Sequence, residues 1–274
     1  MILEIFIILC TLFFVSVWLY KQRRENIELL QLEFSNSAAS LHDLVEEQQP
    51  IILRGVPIPP SLTQERLAQI PRLNSFPLRG SQGSPTLADY RANPAAVLPG
   101  EQTYGIPLLS REAARTLAKE LALDTWANYT LRDVLGDFMG LLAPMYSVRT
   151  SVTLGGIGLR RPAAIYTLIM PIEGTYIISL VNQRSEAFLP THWKYRYTQS
   201  LTVNDTPLVG EIQFIDVVVR PGTMVAIPKH CLMSMQPKEA GKFNSAIVVE
   251  LHSPVSALAA VLDSWDDPQP VTTG

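Results

Sequence analysis

From Tyr146 to His252 the chain is a succession of short β-branched or alternating apolar runs, each closed by turn residues. The predicted strands are Ala164–Met170, Thr175–Val181, Lys194–Val203, Glu211–Val219, Thr223–Ile227, Cys231–Gln236 and Ser245–Leu251. Turns recurring about every ten residues predict a sandwich or barrel, because a parallel α/β sheet needs long helical crossovers between strands. Proline outnumbers glycine, 21 to 15, which suits rigid turns and edge strands and argues against a helical bundle.

Upstream the pattern is mixed. Pro50–Gly55 reads as a strand, and Ser61-x-x-Gln64 opens a helix that Pro71 stops. Residues 71–108 read as irregular connections. Residues 111–123 place Ala114, Leu117, Ala118 and Leu121 on one helical face. Thr130-x-x-Asp133 predicts a further helix to about Leu142, and Val255–Asp263 a short closing one. The fold class expected is mainly β with flanking helices (α+β).

The N-terminus is of a different kind. Ile5–Tyr20 carries no charge, and with Met1–Leu3 it gives about 20 residues, or roughly 30 Å of helix. Lys21-Gln22-Arg23-Arg24 follows, without the basic leader and small-residue cleavage site of a signal peptide. The prediction is one transmembrane helix, a single-pass signal-anchor. The N-terminus would then lie outside or lumenal, and the positive-inside rule would place the C-terminal domain in the cytoplasm. The organisation expected is an anchor over 1–20 in the lipid bilayer, a juxtamembrane helical stalk over 21–48 with a short helix from Ser40 to Glu47, a folded domain over 49–262, and a flexible tail over 263–274.

Net charge is −3 with no basic stripe, so the chain lacks the electrostatic footprint of a nucleic-acid binder. Its two cysteines, Cys10 and Cys231, lie in different regions and predict no disulfide.

Three segments in order carry a resemblance. Pro50-Ile51-Ile52-Leu53-Arg54-Gly55 is similar to the opening strand of the JmjC-like group of cupin-like jelly rolls. Glu173-Gly174-Thr175-Tyr176, followed by Phe188-Leu189-Pro190, resembles a middle segment of that group. Arg220-Pro221-Gly222-Thr223-Met224-Val225-Ala226-Ile227-Pro228-Lys229-His230 resembles its second-half signature. The resemblance spans roughly residues 49–252 and implies a double-stranded β-helix, that is, a jelly roll of two antiparallel sheets. It also implies an interior holding Fe(II) through His-x-Asp/Glu and a later His, with 2-oxoglutarate beside it.

Carried over residue by residue, the iron ligands are missing. The His-x-Asp position falls near Arg161-Pro162-Ala163, the late His at Met233 and the 2-oxoglutarate lysine near Tyr176. No His-x-Asp or His-x-Glu occurs in the chain. The ligand-binding candidates are therefore Arg160, Arg161, Tyr176, His230 and Met233, the two arginines as anion receptors. A remote metal set would draw on His192, His230 and His252 with Glu211 or Asp216. No catalytic residue and no cofactor are expected, and the domain reads as a pseudoenzyme: a binding or scaffolding module for an unidentified protein partner. Two alternatives stand beside it: a divergent Fe(II)/2-oxoglutarate-dependent hydroxylase, and a structural protein that self-associates, for instance as a homodimer.

Overall fold

The computed structural model describes residues 2–21, 27–34, 48–78, 84–97, 105–132, 134, 146–229, 231–239 and 241–259. Its strands are β1 (Leu30–Glu33), β2 (Ile51–Arg54), β3 (Ser147–Leu154), β4 (Ile157–Arg160), β5 (Tyr166–Glu173), β6 (Tyr176–Val181), β7 (Phe214–Val219), β8 (Thr223–Pro228), β9 (Leu232–Pro237) and β10 (Ser245–His252). They form a six-stranded sheet, β1-β2-β8-β5-β10-β3, and a four-stranded sheet, β4-β9-β6-β7. The fold is mixed α+β with two largely antiparallel sheets.

From β3 onward the pairing is nested: β3 with β10, β4 with β9, β5 with β8 and β6 with β7, all antiparallel. The chain behaves as one long antiparallel ribbon whose successive strand pairs alternate between the two sheets. Strands β1 and β2 pair in parallel and extend the larger sheet beyond β8.

Three apolar clusters fix the layers. The first covers the outer face of the six-stranded sheet, where Leu168, Met170, Ile247 and Val249 meet Leu117 and Ala118 of the helix Arg111–Glu120, Leu123 and Ala127 of the helix Leu123–Thr130, and Tyr90 of the helix Leu87–Ala92. The second lies between the sheets and is built from Ile169, Val225, Ile227 and Val248 on one side and Tyr176, Ile178, Val217, Met233 and Met235 on the other. The third packs Leu159, Val181 and Leu232 under Phe188, Trp193 and Leu201, from the long excursion between β6 and β7. Strands β5 and β10 are covered on both faces, which explains their nearly continuous apolar sequence.

Helix N-termini follow their side-chain chemistry. Ser110 accepts from the Ala113 amide, and Thr86 with Asp89 forms a reciprocal capping box.

The structure corrects several expectations. A helix does form over Ile2–Lys21. Among the described residues, however, no helix is long and apolar enough to cross a membrane. The physical reason is length. The uncharged run between Glu4 and Lys21 is 16 residues, about 24 Å of helix against a hydrocarbon core of about 30 Å. The single-pass signal-anchor, and the lumenal and cytoplasmic sides deduced from it, are withdrawn.

Leu30–Glu33 is a strand rather than part of a helical stalk, because Leu32 packs on the outer cluster while Leu29 packs between the sheets. The stalk's short helix and the tail over 263–274 lie outside the described residues, as does most of the helix predicted to run to Leu142; the nearest helix observed is Leu123–Thr130. Lys194–Val203 is not a strand. Tyr195 takes a positive φ of 66°, and the segment spends its backbone groups on the β4 edge, Tyr195 N–H on Leu159 O and Leu159 N–H on Arg196 O.

Candidate functional site

One end of the space between the sheets is polar. Strand β4 ends there at Arg160, whose register partner is Met233, near the start of β9. On the facing sheet, Thr167 of β5 lies opposite Glu250 of β10, and His252 follows two residues on. Alternation puts Thr167 on the inward face with Ile169, and Glu250 and His252 on the inward face with Ala246 and Val248. Register partners share a face, so Arg160 points inward beside Met233, which is fully buried.

The electrostatics of this mouth are set by charges held out of water. Burial pulls the Arg160 guanidinium below its ordinary value, and the Arg111 charge adds to the effect, while Glu250 and Tyr195 oppose it. For Glu250 burial favours the neutral acid. The imidazole of His252 and the charges of Arg160 and Arg111 outweigh that and hold the carboxyl below the usual range. His252 Nε2 lies 3.5 Å from Glu250 Oε2, a contact too long for a well-formed hydrogen bond. Arg160 Nε, Thr167 Oγ1 and both His252 nitrogens are buried without a hydrogen-bond partner. Each such group costs about 1–3 kcal/mol if nothing satisfies it.

The sequence candidates separate. Arg160 and Met233 come together. Arg161 turns away and pairs with Glu186, which makes it part of the scaffold of the excursion. Tyr176 is fully buried in the between-sheet cluster, its hydroxyl unpartnered; burial pushes the phenol well above its ordinary value. His192 is exposed in the excursion, whereas His252 is buried on β10, and His230 lies outside the described residues. Glu211 is exposed, and Asp216 faces outward, bonded to Ser179 and Gln199. Among the described residues no three or more His, Cys, Asp or Glu side chains are grouped so as to hold a metal.

Sequence reasoning passed over Glu250 and Thr167. The signal was available: Glu250 is the one charge in the run Ser245–His252, on a strand covered on both faces, where an acid needs a partner.

At the far ends of β5 and β10 lies a cleft of about 480 Å³ lined by Gln64, Arg91, Glu173, Glu239, Lys242 and Asn244 among others. Several of its polar groups have partners, although Arg91 Nε and Asn244 Oδ1 have none among the described residues. Glu173 accepts from the Gln64 amide at 2.5 Å, Arg91 Nη1 donates to Asn74, and Lys242 pairs with Glu239.

No protein-family model matches the chain, and no curated protein matches it.

Proposed function

We propose that this chain is a cupin-like jelly roll that has no iron chemistry and serves as a binding or scaffolding module for a protein partner. The nested strand pairing and the alternation between two facing sheets support the jelly-roll reading, since that fold is a double-sheet roll of eight antiparallel strands.

The observation that carries the functional reading is the pairing of Arg160 with Met233. Met233 stands where the family resemblance calls for the late iron-binding histidine, and Arg160 adjoins Arg161, near which it calls for the first. A guanidinium donates hydrogen bonds and repels a cation, and a buried thioether is a soft ligand unsuited to Fe(II). Ala163, at the acidic position, offers no donor. The residues present do not fit the metal and leave a hydroxylation without its reacting centre. Deeper in, Tyr176, Ile178, Ile169 and Val225 are packed together as buried core between the sheets.

The test is anaerobic titration of the full chain with Fe(II) or Mn(II), with and without 2-oxoglutarate, reading bound metal and melting temperature. Sub-stoichiometric metal and no cosubstrate-dependent shift are expected. Stoichiometric metal with a shift that needs 2-oxoglutarate would overturn the proposal.

A further inference from the structure

The two edges of the four-stranded sheet are treated differently by the chain. At β4 the edge is covered: Gly158 N–H donates to Gly105 O at 2.7 Å, Leu159 N–H to Arg196 O at 2.7 Å, and Leu159 O accepts from Tyr195 N–H at 3.0 Å. Gly158 is required there, because a Cβ would sit 1.9 Å from Tyr195 O.

At β7 the edge carries no backbone partner: among the described residues, 214–219 make no backbone hydrogen bond beyond their pairing with β6. The strand is six residues long, in unbroken register, and has no proline, lysine or bulge to blunt it. Its outward side chains Phe214, Asp216 and Val218, with Arg220 just beyond, are all exposed, Phe214 at 43% and Val218 at 51%.

The order of these side chains is self-complementary. In an antiparallel copy centred on Val218, Val218 faces its own copy, while Asp216 faces Arg220 and Arg220 faces Asp216. On the inner face Val217 falls opposite Val219, which continues the apolar layer between the sheets across the junction. Centring on Asp216 instead would oppose two carboxylates, which is unfavourable, and a shift by one residue would exchange inner and outer faces. Asp216 is oriented by Ser179 Oγ at 2.6 Å and Gln199 Nε2 at 3.0 Å, and a carboxylate has lone pairs left for a guanidinium. Arg220 has no side-chain partner among the described residues.

We infer that two copies of this chain associate through β7, antiparallel and centred on Val218, to join their four-stranded sheets into one. Such a contact is isologous, so it closes as a two-fold dimer and leaves no further β7 edge open. It does not depend on what the polar mouth holds, so the metal titration and the mass measurement fail or succeed separately.

The experiment is sedimentation of the full chain over a wide concentration range, in a mild detergent that masks the exposed apolar side chains of the helix Ile2–Lys21. A two-copy mass is expected. Val218→Lys, at an exposed position, should give a folded single copy with unchanged circular dichroism. Arg220→Asp and Asp216→Arg should each raise the dissociation constant at least about tenfold, and the double swap should bring it back to within a few-fold of the parent. A single-copy mass at every concentration, or a dimer indifferent to Val218→Lys, would overturn the inference. Single swaps that weaken the dimer without recovery in the double would overturn the register.

Discussion

Gly174 joins β5 to β6, and the turn is held by a neighbour that leaves no room for a side chain. Its φ is +85°, and a Cβ built there would lie 2.0 Å from Asn244 Oδ1 and 2.9 Å from Asn244 Cγ. Asn244 cannot simply swing aside. It is 1% exposed, its Nδ2 donates to Lys242 O at 2.7 Å and to Glu239 O at 3.2 Å, and its backbone is latched to the Tyr90 hydroxyl. Gly174→Ala therefore meets two costs. The left-handed backbone costs about 1–2 kcal/mol for a residue with a Cβ. Displacing Asn244 forfeits two buried hydrogen bonds at about 1 kcal/mol each. The sum is about 3–4 kcal/mol, or roughly 10 °C in Tm for a domain of this size. Thermal and urea unfolding of three variants would check it. Gly222→Ala, at φ +83° with its nearest contact at 3.8 Å, should lose only the backbone part. Gly210→Ala, with nothing within 4 Å and no positive φ, should be nearly neutral. In an Asn244→Ala background the Gly174→Ala penalty should shrink to that of Gly222→Ala, since the two positions are coupled. A Gly174→Ala Tm within about 3 °C of the parent, or strict additivity with Asn244→Ala, would refute the reasoning.

The Cys231 thiol is fully buried and pushed up to about 12 by that burial, so in the native protein it should react with a disulfide reagent about a thousandfold more slowly than a free thiol, at a rate limited by opening of the core; labelling at the free-thiol rate would show that β9 is not packed as described. Glu250, held below its usual 4.5, contributes stability that is fully present above that pH and is lost as pH falls through the lowered value. Glu250→Gln should cost about 1–2 kcal/mol near neutrality and flatten the acid limb of urea midpoint against pH; an unchanged limb would show that the carboxyl is not stabilised by Arg160, Arg111 and His252.

The β architecture was legible because it rests on local chemistry. Seven of the eight predicted strands, Pro50–Gly55 among them, overlap observed ones, and turn glycines such as Gly174 and Gly222 mark the corners. Lys194–Val203 misled because alternation records which faces are buried, not where the backbone bonds go; here they go to the rim of β4. The helix Leu123–Thr130 was missed because its N-cap, Ala122, makes no side-chain cap bond and sits at φ 53°, so no capping residue announces it. Arg160 and Met233 were both singled out, yet their adjacency is a cross-strand fact that spacing along the chain does not contain. Glu250 was visible as the one charge in an apolar run, but its partners Arg160 and Arg111 are distant in sequence and could not be read from it.

The motifs that carry the family resemblance and the residues that would carry its chemistry answer to different constraints. Gly174 and Gly222 are needed because the backbone turns through positive φ at those points, and they would be needed whether or not a metal sat between the sheets. An iron site asks something else of the same scaffold: hard donors at the mouth and space beneath it. Here the mouth presents a fixed cation beside a thioether, and the space beneath is filled by Ile169, Tyr176, Ile178 and Val225. That filling works for stability, because buried apolar area stabilises while an emptied interior costs it. In this chain the positive-φ corners stand beside a between-sheet interior packed as ordinary core. Among the described residues, the β7 edge, with Asp216, Val218 and Arg220 in that order, is where the self-association inferred above is to be tested.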